Sequence, residues 1–123
     1  MGTINSKRKG NRGEVEWAAF CREHGFTDAH RSQQFKGGAD SPDVVGLPGI
    51  HQEVKRVEKL NIYAAIKQAI RDSEGKRIPI VAHRRNREQW LVTMLADDWM
   101  ELYKGWLGDG DIQNNINELL DRQ

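Results

Sequence analysis

The sequence predicts an α/β fold, a mixed central sheet of about five strands flanked by helices. Three observations predict it. Residues 51–82 read strand, helix, strand, which within one sheet makes a right-handed parallel crossover. Asp43-Val44-Val45 and Gln52-Glu53-Val54-Lys55 are strand-like and flank Gly46-Leu47-Pro48-Gly49, so that pair should be an antiparallel hairpin. Ahead of both, one helical row runs through Val15, Ala18, Ala19 and Arg22, and a neighbouring row through Glu14, Trp17, Ala18 and Cys21.

In chain order, residues 1–10 read as a flexible basic arm. The first helix should stop at Gly25, with Phe26 packing back behind a left-handed cap. Residues 27–31 form a short strand and 34–42 a loop rich in turn formers. After the hairpin, Asn61 caps a second helix whose apolar face is Ile62, Ala65, Ile66, Ala69 and Ile70, and Gly75 ends it. Residues 78–82 are a buried strand with Pro79 near its start. Arg84-Arg85-Asn86-Arg87 turns into a strand over 89–95, and Asp97 or Asp98 caps a short helix through Trp99, Met100 and Tyr103. Residues 105–110 read as a glycine-rich linker to a last amphipathic helix carrying Ile112, Ile116, Leu119 and Leu120. The plan is an arm (1–10), one domain (11–104), and a linker with a C-terminal helix (105–123).

A chain of 123 residues has room for one core. With 37% hydrophobic residues, no apolar run approaches the ~20 needed to span a bilayer, which excludes a transmembrane helix. No charged-then-apolar start reads as a secretory signal. Cys21 stands alone, which excludes an intramolecular disulfide and a cysteine zinc cage, and the four histidines lack zinc spacing. A cytoplasmic setting is expected. The net charge of +1 is unevenly spread: residues 1–12 carry +4 from Lys7, Arg8, Lys9 and Arg12, and residues 97–123 carry −5. That asymmetry permits nucleic-acid binding, and equally serves solubility.

The hairpin carries the chemistry. If its turn centres near Pro48, residues whose numbers sum to 96 face each other, and Asp43 and Glu53 do. Directly opposed residues have Cβ atoms about 4.5–5.5 Å apart. Lys55, two residues beyond Glu53, shares its face, while Val44 and Val54 point to the core. Two adjacent carboxylates repel, and a divalent cation resolves the repulsion. Oxygen donors suit Mg²⁺, with Mn²⁺ as a substitute, rather than zinc. Such an ion polarises a phosphoryl oxygen and acidifies a water, and Lys55 can position that water or offset charge on the phosphate. Glu14 lies on the helical row facing the sheet and can reach the same patch; the ordinary alternative is an acid favouring the helix dipole. For the triad, the ordinary alternative is a strand with alternating surface charge.

Pro42-Asp43, nine residues, then Glu53-Val54-Lys55 resembles the PD-(D/E)xK nuclease motif. The upstream Lys9-Gly10-x-Arg12-x-Glu14 resembles the first helix of archaeal-type Holliday-junction resolvases and their phage-encoded relatives. The similarity runs from about residue 7 to 95. It implies a restriction-endonuclease-like sheet, Asp43 and Glu53 as Mg²⁺ ligands, Glu14 as a further acidic ligand or water holder, and Lys55 as the catalytic lysine. It also implies a homodimer that nicks four-way DNA junctions in a prokaryotic or phage-infected cell. The loop before Pro42 departs from the serine- and glycine-rich loop of those enzymes, and the acidic tail has no counterpart in them. Two competing readings are a nuclease of the same fold acting on other DNA (duplex nicking, repair or flap cleavage) and a non-catalytic DNA-binding module.

Candidate DNA contacts are Lys7, Arg8, Lys9 and Arg12, then Lys36 beside Gly37 and Gly38, then Arg84 and Arg85. Gln68 reads as part of a solvated helix face. His51 shares the Glu53 face and reads as a surface residue at a hairpin end. The tryptophans read as core or interface rather than stacking platforms for bases.

Overall fold

Eight elements form in the order α-β-β-β-α-β-β-α. They are α1 (Gly2–Glu23), β1 (His30–Arg31), β2 (Val44–Val45), β3 (Ile50–Lys55), α2 (Ile62–Ser73), β4 (Ile78–His83), β5 (Leu91–Met94) and α3 (Ala96–Leu107). This is a computed structural model, and it describes residues 2–32, 42–108 and 118–121. The strands make one mixed sheet in the order β1-β2-β3-β4-β5, with helices on both faces, as expected. Only β3 and β4 run parallel, joined by the α2 crossover. Among the described residues no helix is long and apolar enough to cross a membrane.

Both faces of the central strands are covered. On one, Trp17, Ala18 and Cys21 of α1 pack with Val44, Val54, Ile80 and Ala82. On the other, Ala65, Ile66 and Ala69 of α2 pack with Val81. Burying a valine or isoleucine side chain fully contributes about 1.5–3 kcal/mol and an alanine methyl about 0.8 kcal/mol, so these two layers hold the sheet between its helices. The α2 helix starts where Asn61 Oδ1 accepts the Ala64 N–H at 3.1 Å, and it ends with Glu74 in the left-handed region at φ 52°. Pro79 is tolerated in a central strand because β4 pairs with β5 only from Ile80 onward, so its missing donor falls outside that ladder. The β2–β3 turn requires Gly46: its φ is +109°, and a Cβ there would lie 2.4 Å from Ala29 Cα.

The boundaries differ from expectation at four places. The helix α1 begins at Gly2, so residues 2–10, expected as an arm, lie on its backbone. The helix α3 runs through Gly105, which was expected to open a linker. Its N-cap is Leu95 with no side-chain cap bond, and Asp97 and Asp98 occupy the first turn instead, where acids favour the dipole. At the end of α1 the Phe26 N–H closes on Cys21 O at 3.1 Å, but the Phe26 ring stays exposed rather than packing back. Residues 118–121 are helical; the rest of the expected last helix, Ile112 and Ile116 included, lies outside the described residues.

Candidate active site

The hairpin register is the one the turn predicts. Val44 pairs with Gln52, numbers that sum to 96, and Asp43 is the next residue toward Glu53. The strand β2 is only two residues long, and the ladder beside it is continued by a side chain: the Val54 N–H donates to Asp43 Oδ2 at 2.8 Å. The Asp43 N–H in turn donates to Gln52 O at 2.9 Å. These two bonds fix the Asp43 carboxylate where β2 and β3 part.

Alternation along β3 separates two faces. Toward α1, Gln52 Oε1 accepts from Trp17 Nε1 at 2.7 Å, and Val54 joins the Trp17 core. Toward α2 lie His51, Glu53 and Lys55. Glu53 is 1% exposed, and His51 Nε2 lies 2.9 Å from its Oε1. Burial pushes the Glu53 pKa up, and the charge and hydrogen bonding of Asp43 push it the same way, against the His51 bond. The two carboxyls are therefore within reach of each other, as the register predicts. Lys55 Nζ donates to Gln68 Oε1 of α2 at 3.1 Å, and its charge acts on Glu14.

Glu14 arrives from α1. A Cβ at Gly13 would lie 2.6 Å from Arg56 Cβ, so the glycine lets α1 approach the end of β3 closely. The Glu14 Oε2 accepts from Arg31 Nε at 2.8 Å, and Arg31 also donates to Asn11 Oδ1 at 3.1 Å. Burial raises the Glu14 pKa, the Arg31 bond opposes this, and Asp43 and Lys55 act on it through space. Glu14, Asp43, Glu53 and Lys55 thus form one electrostatic group, but Glu14 is already paired with a cation of its own chain.

No group of three or more His, Cys, Asp or Glu side chains converges to hold a metal among the described residues. The donor set a cation would meet is the Asp43–Glu53 pair. Two mutually repelling carboxyls fit a hard ion that keeps several of its waters, which is the habit of Mg²⁺.

The proposed DNA contacts separate. Lys7, Arg8 and Lys9 fall on the N-terminal stretch of α1, and their side chains, like Lys36, Gly37 and Gly38, lie outside the described residues. Arg12 and Arg85 are exposed. Arg84 is half-buried, with Nη1 3.5 Å from Glu16 Oε2 and its guanidinium 6.0 Å from the Trp90 ring centre, so it is partly occupied within the chain. Arg84 and Arg85 do line a cleft of about 740 Å³, together with Lys59, Asn61, His83 and Gln89. This cleft begins where β4 places His83 opposite Lys55.

Three residues gain weight over their sequence reading. His51 is buried against Glu53 rather than on the surface, because β3 is central and covered on both sides. Gln68 turns to Lys55 rather than to solvent. Arg31, unremarked in the sequence, pairs with Glu14. The α2 spacing could have signalled Gln68, since it lies between Ala65 and Ala69 near the buried row, but no local signal joins Arg31 to Glu14. Comparison with protein-family models, curated proteins and solved structures gives no match to this chain.

Proposed function

We propose that this protein is a Mg²⁺-dependent DNA endonuclease whose active group is Asp43, Glu53 and Lys55, and that its substrate is branched DNA, with a four-way junction as the leading candidate. The observation that carries the reading is the buried Glu53 carboxyl held beside Asp43, with Lys55 on the same strand face. A Glu53 carboxyl raised in pKa by burial and by the neighbouring Asp43 is costly to keep in a fold, and a cation-binding role accounts for it. The resemblance of Pro42-Asp43 and Glu53-Val54-Lys55 to the nuclease motif supports the same reading.

When bound, Mg²⁺ supplies charge neutralisation and an acidified water for in-line attack on phosphorus. Asp43 and Glu53 would hold the ion. Lys55, positioned by Gln68, would hold the attacking water or a phosphate oxygen by hydrogen bonding and offset the growing negative charge. Glu14, paired with Arg31, adds negative potential beside Asp43. The expected products carry 5′-phosphate and 3′-hydroxyl ends.

The test is a panel of labelled substrates incubated with purified protein and Mg²⁺. Paired nicks in a synthetic four-way junction are expected. Faster cutting of linear duplex or flaps rejects the junction preference but keeps the nuclease. Equal junction binding with and without Mg²⁺, and no cutting of any substrate, rejects the enzyme and leaves a DNA-binding module.

A further inference from the structure

The strand β5 is an edge of the sheet, and no described strand lies beyond it. Its Leu91 and Val92 are exposed. The helix α3 that follows makes at most marginal contact with the other described elements, and of its side chains only Leu107 is buried. Trp99, Met100, Leu102 and Trp106 stand exposed on it, Trp106 at 69%. Tyr103 stacks between Trp99, at 5.3 Å, and Trp106, at 5.9 Å, so the rings form one preorganised ladder along the helix. Exposed apolar side chains on an open sheet edge and on the helix that follows it mark an association surface.

Charge selects the occupant. The turn of residues 84–88, which ends two residues before β5, carries Arg84, Arg85 and Arg87 against Glu88, a net +2. Of these cations Arg84 already faces Glu16 in its own chain, while Arg85 and Arg87 are exposed. The five residues 97–101 beyond the strand carry Asp97, Asp98 and Glu101, a net −3. Two copies of β5 related by a two-fold axis pair antiparallel. That arrangement places the basic end of each copy against the acidic end of the other, twice. We infer that the β5 edge and the aromatic face of α3 form a self-complementary interface with a second copy of this chain. The inference is independent of the nuclease reading.

The experiment is light scattering on the full chain during size exclusion, with circular dichroism to check folding. The wild type is expected at twice the 14.1 kDa chain mass. Val92→Lys, which puts a charge on the edge, and Trp106→Ser, which breaks the ladder, should each weaken self-association by at least about tenfold. Arg85→Glu and Glu101→Lys should each weaken it alone, and an equimolar mixture of the two should restore dimers, because each altered end then meets its complement. A monomer at about 100 μM overturns the inference, whether that face is then bare or covered by residues 109–121 of the same chain. A dimer that none of the four substitutions weakens places the interface elsewhere and also overturns it.

Discussion

The Val54 backbone N–H donates to Asp43 Oδ2 at 2.8 Å, so the proposed cation ligand also completes the ladder of the strand that carries its partner Glu53. Fold and site share one hydrogen bond, and the two roles of Asp43 can be separated by substitution.

Asp43→Asn keeps an acceptor for Val54 and removes a charge beside Glu53. Its stability should equal or exceed that of the wild type, with Mg²⁺-dependent cleavage lost. Asp43→Ala leaves the Val54 N–H unpaired and should cost about 1–3 kcal/mol, reduced by the relief of repulsion. Urea denaturation of both variants measures the difference. A variant order in which alanine is the more stable would show that the bond contributes nothing.

The raised pKa of Glu53 sets a pH dependence. The folded state holds this proton more tightly than the unfolded chain, whose carboxyl has the ordinary value of 4.5. Stability from this group is therefore greatest below 4.5 and declines as pH rises through the raised folded value. Bound Mg²⁺ requires the ionised pair and acts in the opposite direction. The rise in melting temperature caused by Mg²⁺ should be small near pH 4.5 and grow with pH. Thermal melts across pH with and without the ion check this, and a Mg²⁺ effect independent of pH would contradict it.

His51 gives the buried Glu53 a hydrogen-bond partner at 2.9 Å. His51→Leu should destabilise the fold by about 1–3 kcal/mol and raise the Glu53 pKa further, since the bond that opposes the shift is gone. His51→Gln, which keeps a donor, should recover part of both. Denaturation curves at two pH values separate the contributions.

Gln68 holds Lys55 at 3.1 Å. Gln68→Leu frees the ammonium and should lower kcat by about tenfold while leaving KM for DNA nearly unchanged, because the lost positioning matters chiefly in the transition state. A change in KM alone would place Gln68 in DNA binding.

The hairpin was legible because a four-residue turn of Gly46, Leu47, Pro48 and Gly49 fixes its register, and register alone brings Asp43 to Glu53. The α2 crossover was legible from Asn61 and the Ala65, Ile66 and Ala69 row. The burial of His51 was not, because alternation on one strand does not reveal that helices cover both faces of a central strand. The Arg31–Glu14 pair spans 17 residues between two elements, a contact that local pattern does not encode. The helix α3 was legible only as a short helix through Trp99, Met100 and Tyr103, and a local pattern of that length does not say which of its sides the rest of the chain leaves open.

The most direct measurement of the central claim is a Mn²⁺ titration followed by electron paramagnetic resonance on the wild type and on Glu53→Gln. The account predicts a site in the wild type that Mg²⁺ displaces, lost in the variant while its circular dichroism is retained. Equal Mn²⁺ uptake by the two proteins, or none by the wild type, would contradict it.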